Sequence, residues 1–254
     1  MTLPRTPSFR LDGRRALVAG ASSGIGAACA VALAEQGAEV TLCARRAQEL
    51  QALAEEMRAE GMRADILPLD ITDIAAVEAA LGSRPAFDVL VNSAGLAKHS
   101  PAVETKPEDF DLVSGLNFRA AYFLTRNAAK RLIAEGKPGS LINISSQMAH
   151  VGGVDRAVYA ATKHAIEGMT KSMAIEWGAH GIRVNTIAPT FIRTALTAQT
   201  FANPERAAWI ASKIKLGRAG EVEDIMGAVA FLASDAAALV TGTSLIVDGG
   251  WTAD

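Results

Sequence analysis

Cysteine and aromatic residues are scarce in this chain of 254 residues, which holds two Cys, three Trp, two Tyr and eight Phe. Two cysteines, Cys29 in a helical pattern and Cys43 in a strand pattern, make neither a disulfide framework nor a metal-ligand spacing, and both read as buried, inert thiols. With aromatics at 5% and hydrophobic residues at 50%, the core must be built from Ala, Val, Ile and Leu, as expected for a parallel sheet flanked by helices. An excess of one charge is missing too. The net charge is −2, and Arg and Lys are scattered, which removes the electrostatic footprint of a nucleic-acid binder. No uncharged run reaches the length of a membrane span, and residues 1–9 lack the apolar run of a signal peptide, so a soluble, cytoplasmic protein is expected. Repeats, low-complexity tracts and domain-separating linkers are absent. One domain over residues 1–254 is expected, with a short N-terminal extension at 1–10.

What is present is an alternation. Short β-rich runs at 15–19, 39–44, 63–70 and 88–92 alternate with helical stretches near 25–36, 47–60 and 74–81, the pattern of βαβ units. A long helix near 107–134, a strand at 140–144, a helix near 157–178 and a strand at 183–187 follow. A loop with Pro189 leads into a polar and aromatic segment through Lys215, then a helix near 222–233 and a strand at 244–247. The expected fold is α/β, a single-domain Rossmann-type doubly wound parallel sheet with helices on both faces.

Gly20, Gly24 and Gly26, in Gly20-Ala21-Ser22-Ser23-Gly24-Ile25-Gly26, follow the first strand at the turn into a helix. Small residues there allow close backbone approach to a pyrophosphate, and the helix N-terminus supplies N–H donors and partial positive charge. The spacing G-x-x-x-G-x-G differs from the commoner G-x-G-x-x-G, and a glycine-rich turn without a ligand is the alternative. The second strand ends Leu42-Cys43-Ala44-Arg45-Arg46, where an NAD enzyme usually carries an acidic residue for the ribose hydroxyls. Here Arg45 offers a charged donor fork suited to a 2′-phosphate, so NADP(H) is favoured, with NAD(H) the second choice. The competing reading of Arg45 and Arg46 is a solvated pair opening the next helix. Asp70 and Ile71 end the third strand and either bracket an adenine or, for Asp70, cap the following helix.

Tyr159 and Lys163 are four residues apart and share a helix face. An ammonium beside a phenol of ordinary pKa about 10 favours the phenolate and makes the group a proton donor and acceptor near neutrality. Ser145 and Ser146 follow the strand at 140–144, and strand carboxyl ends are where open α/β sheets place their ligand sites.

The glycines at 20–26, Asn92-Ser93-Ala94-Gly95, Asn117, Ser146, Tyr159 with Lys163, the stretch from Pro189 to Thr194 and the closing Val247-Asp248-Gly249-Gly250 resemble the short-chain dehydrogenase/reductase family in order and spacing. The likeness runs from about Leu11 to Trp251. It implies that Tyr159 protonates a carbonyl oxygen as hydride arrives from a nicotinamide, or acts as base in reverse. It implies that Lys163 lowers the pKa of Tyr159 and bonds the nicotinamide ribose, and that Ser146, in preference to Ser145, stabilises charge on the substrate oxygen. Asn117 matches an asparagine that holds a water in a relay to the lysine; the alternative is a solvent-facing or back-bonded mid-helix side chain. Cofactor contacts are implied for Ser22, Ser23, Ile25, Asn92, Ala94, Gly95, Pro189, Ile192 and Thr194, the last to the nicotinamide carboxamide. Ala19, Ser93 and Thr190 depart from a usual Thr, Asn and Gly, and none removes a catalytic group.

Pocket candidates are residues 146–154, Lys98-His99-Ser100, and residues 191–215, which suit either a lid over substrate or an ordinary surface helix. His99 and His150 are read either as polar-substrate contacts or as plain loop histidines. Trp177 and the ending Gly250-Trp251-Thr252-Ala253 resemble sugar-acid and polyol members such as gluconate 5-dehydrogenases. A 3-oxoacyl thioester reductase acting on an acyl-carrier protein is the alternative, weakened by Ile175 where a cation would receive an acidic carrier. The small residues Ala160, Ala161, Ala165 and Gly168, beside the long helix from Pro107, either bury a flat face against a second subunit or pack within the chain, and the family resemblance implies the former, a homo-oligomer, tetramer or dimer. A silent NADP-binding sensor or scaffold predicts a lost catalytic group, and all four are present. The expected partner is a small-molecule alcohol or ketone, with no nucleic acid, membrane or metal.

Overall fold

The apolar β-rich runs form seven strands: β1 (Arg15–Ala19), β2 (Glu39–Ala44), β3 (Arg63–Pro68), β4 (Val89–Asn92), β5 (Gly139–Ile144), β6 (Ile182–Pro189) and β7 (Ser244–Val247). In the computed structural model, which describes residues 2–253, they make one parallel sheet in the order β3-β2-β1-β4-β5-β6-β7. The strand order reverses between β1 and β4, and this opens a crevice at their carboxyl ends, where such sheets take ligands. Every residue of β4 and β5 is buried, because helices cover both faces of the sheet, whereas the edge strands β3 and β7 are only partly covered.

The helices are α1 (Gly24–Glu35), α2 (Ala47–Ala59), α3 (Ile74–Gly82), α4 (Pro107–Ser114), α5 (Ala121–Ala134), α6 (Ala157–Trp177), α7 (Ala198–Ala202), α8 (Pro204–Lys213) and α9 (Glu223–Ala233). Alternate residues of β1 point to opposite faces, so Ala16 and Val18 join the layer of α1, α2 and α9 while Leu17 and Ala19 join that of α3, α5 and α6. Leu33 in the first layer and Leu132 in the second are fully buried, and such a side chain contributes about 1.5–3 kcal/mol. Cys29 and Cys43 lie in different layers, and burial pushes each thiol up to about 12. Within the N-terminal extension, the Ser8 carbonyl accepts from the Ala236 amide at 3.2 Å and the Phe9 ring lies 6.3 Å from Phe231.

One segment differs from expectation and another is resolved between its two readings. The long helix at 107–134 is interrupted by a π-helical turn over Gly115–Ala120, which carries Asn117; wide turns of this kind re-aim a side chain and occur at functional sites. Residues 191–215 hold a 3-10 turn at Ala195–Thr197, then α7 and α8. Asn203 accepts from the Arg206 amide at 2.9 Å and Pro204 takes the first helical position, so α8 begins on an ordinary start signal. Among the described residues, no helix is long and apolar enough to cross a membrane, and no cluster of His, Cys, Asp or Glu could hold a metal ion.

Candidate active site

β1 delivers the chain to Gly20, which turns it toward α1 with φ +79°. A Cβ on Gly20 would lie 2.7 Å from the Ala94 amide nitrogen, and one on Gly26 would run into the Gly20 carbonyl oxygen. Gly24 also has positive φ, +56°, and a Cβ there would meet the Thr194 methyl at 3.2 Å, so Thr194 roofs the loop. Ser23 makes no side-chain cap to α1, and the first turn carries no acidic residue. Its leading N–H groups are therefore available to an anion. Crowding that admits only glycine, next to an uncapped helix end, fits the pyrophosphate of a dinucleotide along Gly20, Ser22, Ser23, Gly24, Ile25 and Gly26.

At the rim, the arginine drawn to the loop is Arg46, not Arg45. Arg46 Nη2 donates to Ser22 Oγ at 2.8 Å and Ser23 Oγ at 3.2 Å, and its Nη1 is 3.3 Å from a Glu49 carboxylate oxygen. Arg45 is exposed and 4.0 Å from Asp70 Oδ2. Asp70 Oδ1 accepts from the Thr72 amide at 2.9 Å and hydroxyl at 2.7 Å, bonds that hold its carboxyl below the usual range. It is not the helix cap: Asp73 takes that place on α3, accepting from the Ala76 amide at 2.9 Å. Ile71 is buried beside it.

Beyond the glycine loop, buried Asn92 shapes the turn at the end of β4. Its Oδ1 accepts from the Ala94 amide at 3.2 Å and its Nδ2 donates to Asn143 Oδ1 at 3.1 Å. A Cβ on Gly95 would lie 3.3 Å from Asn117 Oδ1 and 3.8 Å from Lys163 Nζ, so three residues distant in sequence converge here. Asn117 is neither solvent-facing nor back-bonded. The π turn aims it at Leu96, whose amide donates to Oδ1 at 2.9 Å and whose carbonyl accepts from Nδ2 at 2.8 Å.

Lys163 lies on α6 with its Nζ donating to the Ile144 carbonyl at 2.8 Å, 5.7 Å from the Tyr159 ring centroid. Burial lowers this ammonium to about 8, and the charge of Glu167, one helical turn on, works against the fall. The sequence argument had the ammonium lowering the phenol. The structure corrects it: burial dominates and raises Tyr159, while the Ser146 hydroxyl and then the Arg156 charge oppose the rise. The reason is geometric, since Nζ is turned to the carbonyl of β5. Ser146 Oγ accepts from the Met148 amide at 3.1 Å, whereas the buried Ser145 Oγ has no partner among the described residues.

Tyr159, Lys163 and Ser146 line one cleft of about 380 Å³, with Gly95 and Ile25 on the cofactor side and Pro189, Ile192 and Thr194 along one wall. Three lining atoms, Ser145 Oγ, Gln147 Oε1 and Thr190 Oγ1, are buried without a hydrogen-bond partner. Of the pocket candidates, Ser146, Gln147 and Met148, His99, and the part of the 191–215 segment up to Thr200 reach the cleft. Lys98 turns to Asp109 at 3.7 Å, Ser100 to Thr105 at 3.3 Å, and His150 to Ser244 at 3.0 Å. In the 191–215 segment, Phe201 packs under Arg193, and Trp209 on α8 meets Trp251 at 5.5 Å, which in turn lies 5.6 Å from Phe191 on the cleft wall. Sequence reading missed Arg156 in this wall. Its signal was its place three residues before Tyr159, on the same helical face.

A family model described as enoyl-(acyl carrier protein) reductase matches residues 20–252. D-erythrulose reductase of Gallus gallus is 41% identical over 245 residues, which cover 96% of this chain and 98% of that protein. Gluconate 5-dehydrogenase of Gluconobacter oxydans is 38% identical over 251 residues, 96% of each chain. A crystal structure of a gluconate 5-dehydrogenase from Burkholderia cenocepacia, in complex with NADP and tartrate, is similar with a TM-score of 0.93 at 36% identity, covering 97% of this chain and 98% of that one. Likeness of this extent, carried by the same motifs that build the cleft, leads to one conclusion: the chain belongs to the short-chain dehydrogenase/reductase family and is an NAD(P)-dependent oxidoreductase of CH–OH and C=O groups.

Proposed function

We propose that this enzyme interconverts a secondary alcohol and a ketone on a sugar-derived substrate, a sugar acid or polyol, with NADP(H) preferred and Tyr159 as the acid and base. The observation that carries the reading is the meeting of Tyr159, Ser146, Lys163 and Gly95 in one cleft, with Asn117 directly behind Gly95. A nicotinamide dinucleotide bound along the glycine loop supplies or accepts the hydride. The rest is the work of side chains. In reduction, Tyr159 Oη gives its proton to the carbonyl oxygen; burial keeps that phenol protonated at neutral pH, as an acid must be. Ser146 already accepts from the Met148 amide, so its own O–H is available to the same substrate oxygen. Lys163 carries a charge toward the ribose side, and Asn117 steadies the 95–96 turn on which it leans.

Asn92, Ala94, Gly95, Pro189, Ile192 and Thr194 are assigned to the nicotinamide side, and Ser22, Ser23, Arg45, Arg46, Asp70 and Ile71 to the adenosine side. The two arginines at the rim support a 2′-phosphate, and the NADP in the Burkholderia structure agrees with that choice. Residues 191–215 act as a lid, docked through Trp209, Trp251 and Phe191, that shuts water out during transfer. A homo-oligomer, tetramer or dimer, is supported by the half-exposed Phe110, Leu112, Phe118 and Tyr122 along α4 and α5. Two unpaired thiols suit a reducing, cytoplasmic compartment.

A second reading, reduction of an acyl thioester on a carrier protein, is favoured by the description of the family model. Ile175, 84% exposed near the end of α6, offers no cation to such a carrier. The test is NADPH oxidation over a panel of keto sugars, keto sugar acids and 3-oxoacyl thioesters. Turnover on the sugar-derived arms is expected, with Tyr159→Phe slower by about 10²–10⁴-fold and NADPH binding retained by fluorescence titration. Turnover confined to the thioesters, or a Tyr159→Phe variant as fast as the parent, would overturn the reading.

A further inference from the structure

The cleft wall carries cations and no anion. Its lining includes Arg156 and Lys163 with His99, and neither Asp nor Glu. Arg156 sits at the start of α6, with its guanidinium 5.6 Å from the Phe191 ring centroid and its Nη1 donating to His99 Nε2 at 2.7 Å. An arginine never loses its proton, so His99 Nε2 must be the acceptor and the imidazole neutral. The surroundings agree: burial lowers the His99 pKa first, and the charges of Arg156 and Arg206 lower it further. Burial and the like charge of Arg206 act against the charge of Arg156, Tyr159 and the carboxylate of Asp155 favour it, and no carboxylate among the described residues comes within ion-pair distance of it. One of its five N–H groups is used on His99, and the guanidinium lies within cation–π range of Phe191.

A partly buried guanidinium bonded to an imidazole, beside an aromatic ring and with no carboxylate in direct contact, is open to a further anionic partner. Its natural complement is a carboxylate, which two parallel N–H bonds would match. The pyrophosphate seat is elsewhere, at the glycine loop. Arg156 stands on the Tyr159 side, near enough for its charge to act on that phenol.

We propose that Arg156, held by His99 and Phe191, binds a carboxylate on the substrate, so that the enzyme takes a polyhydroxy acid in preference to the neutral polyol or ketose of the same length. The idea rests on the redox reading of the Tyr159 cleft and selects between the two substrate classes left open there. Arg156 is a specificity residue; the proton still moves at Tyr159.

The test has a binding arm and a turnover arm. Calorimetric titration of the enzyme–NADP⁺ complex with gluconate is expected to give binding in the parent, weaker by roughly 10- to 100-fold in Arg156→Gln and partly restored in Arg156→Lys, as for a charged hydrogen bond. Glucitol, the neutral counterpart, is expected to bind the parent at least tenfold less tightly than gluconate. In turnover, the acid-to-neutral ratio of kcat/KM is expected to fall by the same factor in Arg156→Gln, mainly through KM. NADPH affinity and melting temperature show whether the variants are folded. Equal binding of gluconate and glucitol by the parent, absence of gluconate binding, or gluconate binding undiminished in folded Arg156→Gln would each overturn the proposal. If the binding arm behaves as expected while no substrate turns over, the failure lies with the redox reading and not with the carboxylate site.

Discussion

The two ends of the cleft are built from different materials. The nucleotide end is backbone: Gly20, Gly24 and Gly26 leave room where any Cβ would meet the chain or Thr194, and the uncapped start of α1 faces the same space. The substrate end is side chain: Phe191, Trp251 and Trp209 in a row, with Arg156 against Phe191 and Arg206 against Trp209. A backbone cradle is specified by the absence of atoms, so it has few solutions and serves a ligand that does not change. A side-chain wall can be rewritten one residue at a time without disturbing the sheet. The difference explains how relatives named for different sugar substrates keep one fold.

Breaking the contrast at the backbone end should have the largest effect. In Gly26→Ala the added methyl meets the Gly20 carbonyl, and the loop must open. Overpacking costs about 1–3 kcal/mol in a yielding core, and a backbone atom yields less, so NADPH affinity is expected to drop by at least about 10- to 100-fold. Fluorescence titration measures it; an unchanged affinity would show that the loop is not the rigid cradle described.

Lys163→Met probes the junction of the two ends, with opposite effects on rate and stability. Activity should fall by about two orders of magnitude or more. The folded-state pKa of Lys163 is lowered to about 8, so its burial costs stability wherever the unfolded chain holds a proton that the native state resists. That cost is complete below pH 8 and is relieved as pH rises toward the unfolded value. Net of the lost bond to Ile144, Lys163→Met is expected to be more stable by about 1–2 kcal/mol at pH 7, with the gap closing between pH 8 and about 10.4. Urea melts at pH 7 and pH 10 check this; a gap that widens with pH would reverse the sign.

The smallest effect is expected at the rim. Arg46→Ala removes the guanidinium held on Ser22 and Ser23, and the ratio of NADP to NAD affinity should fall by about tenfold, as one exposed charge-assisted contact is lost. If Arg45→Ala has the larger effect on that ratio, Arg45 and not its neighbour contacts the phosphate.

The same contrast decides what the sequence made legible. The runs at 15–19, 39–44 and 244–247 coincide with β1, β2 and β7, because short β-rich segments set between helical patterns and turn residues are the mark of βαβ units. The glycine loop could be read for the same reason. Asn117 was legible as a motif, but the π turn that carries it was not, nor were its bonds to Leu96, which join segments distant in sequence. The phenol was misjudged because spacing along a helix gives proximity, whereas the pKa depends on burial and on where Nζ points. Arg156 went unseen because its position before Tyr159 was legible but its contacts were not: His99 and Phe191 come from segments distant in sequence.

Cys29 and Cys43 are both sealed inside the helical layers, with thiols that stay protonated across the working range of thiol chemistry. They are the chain's two cysteines, so a single cysteine introduced on the outer side of α8 would be the one accessible thiol for maleimide or spin-label attachment. The native protein thus provides a silent background against which the proposed closing of the 191–215 segment can be tested directly, with no cysteine to remove first.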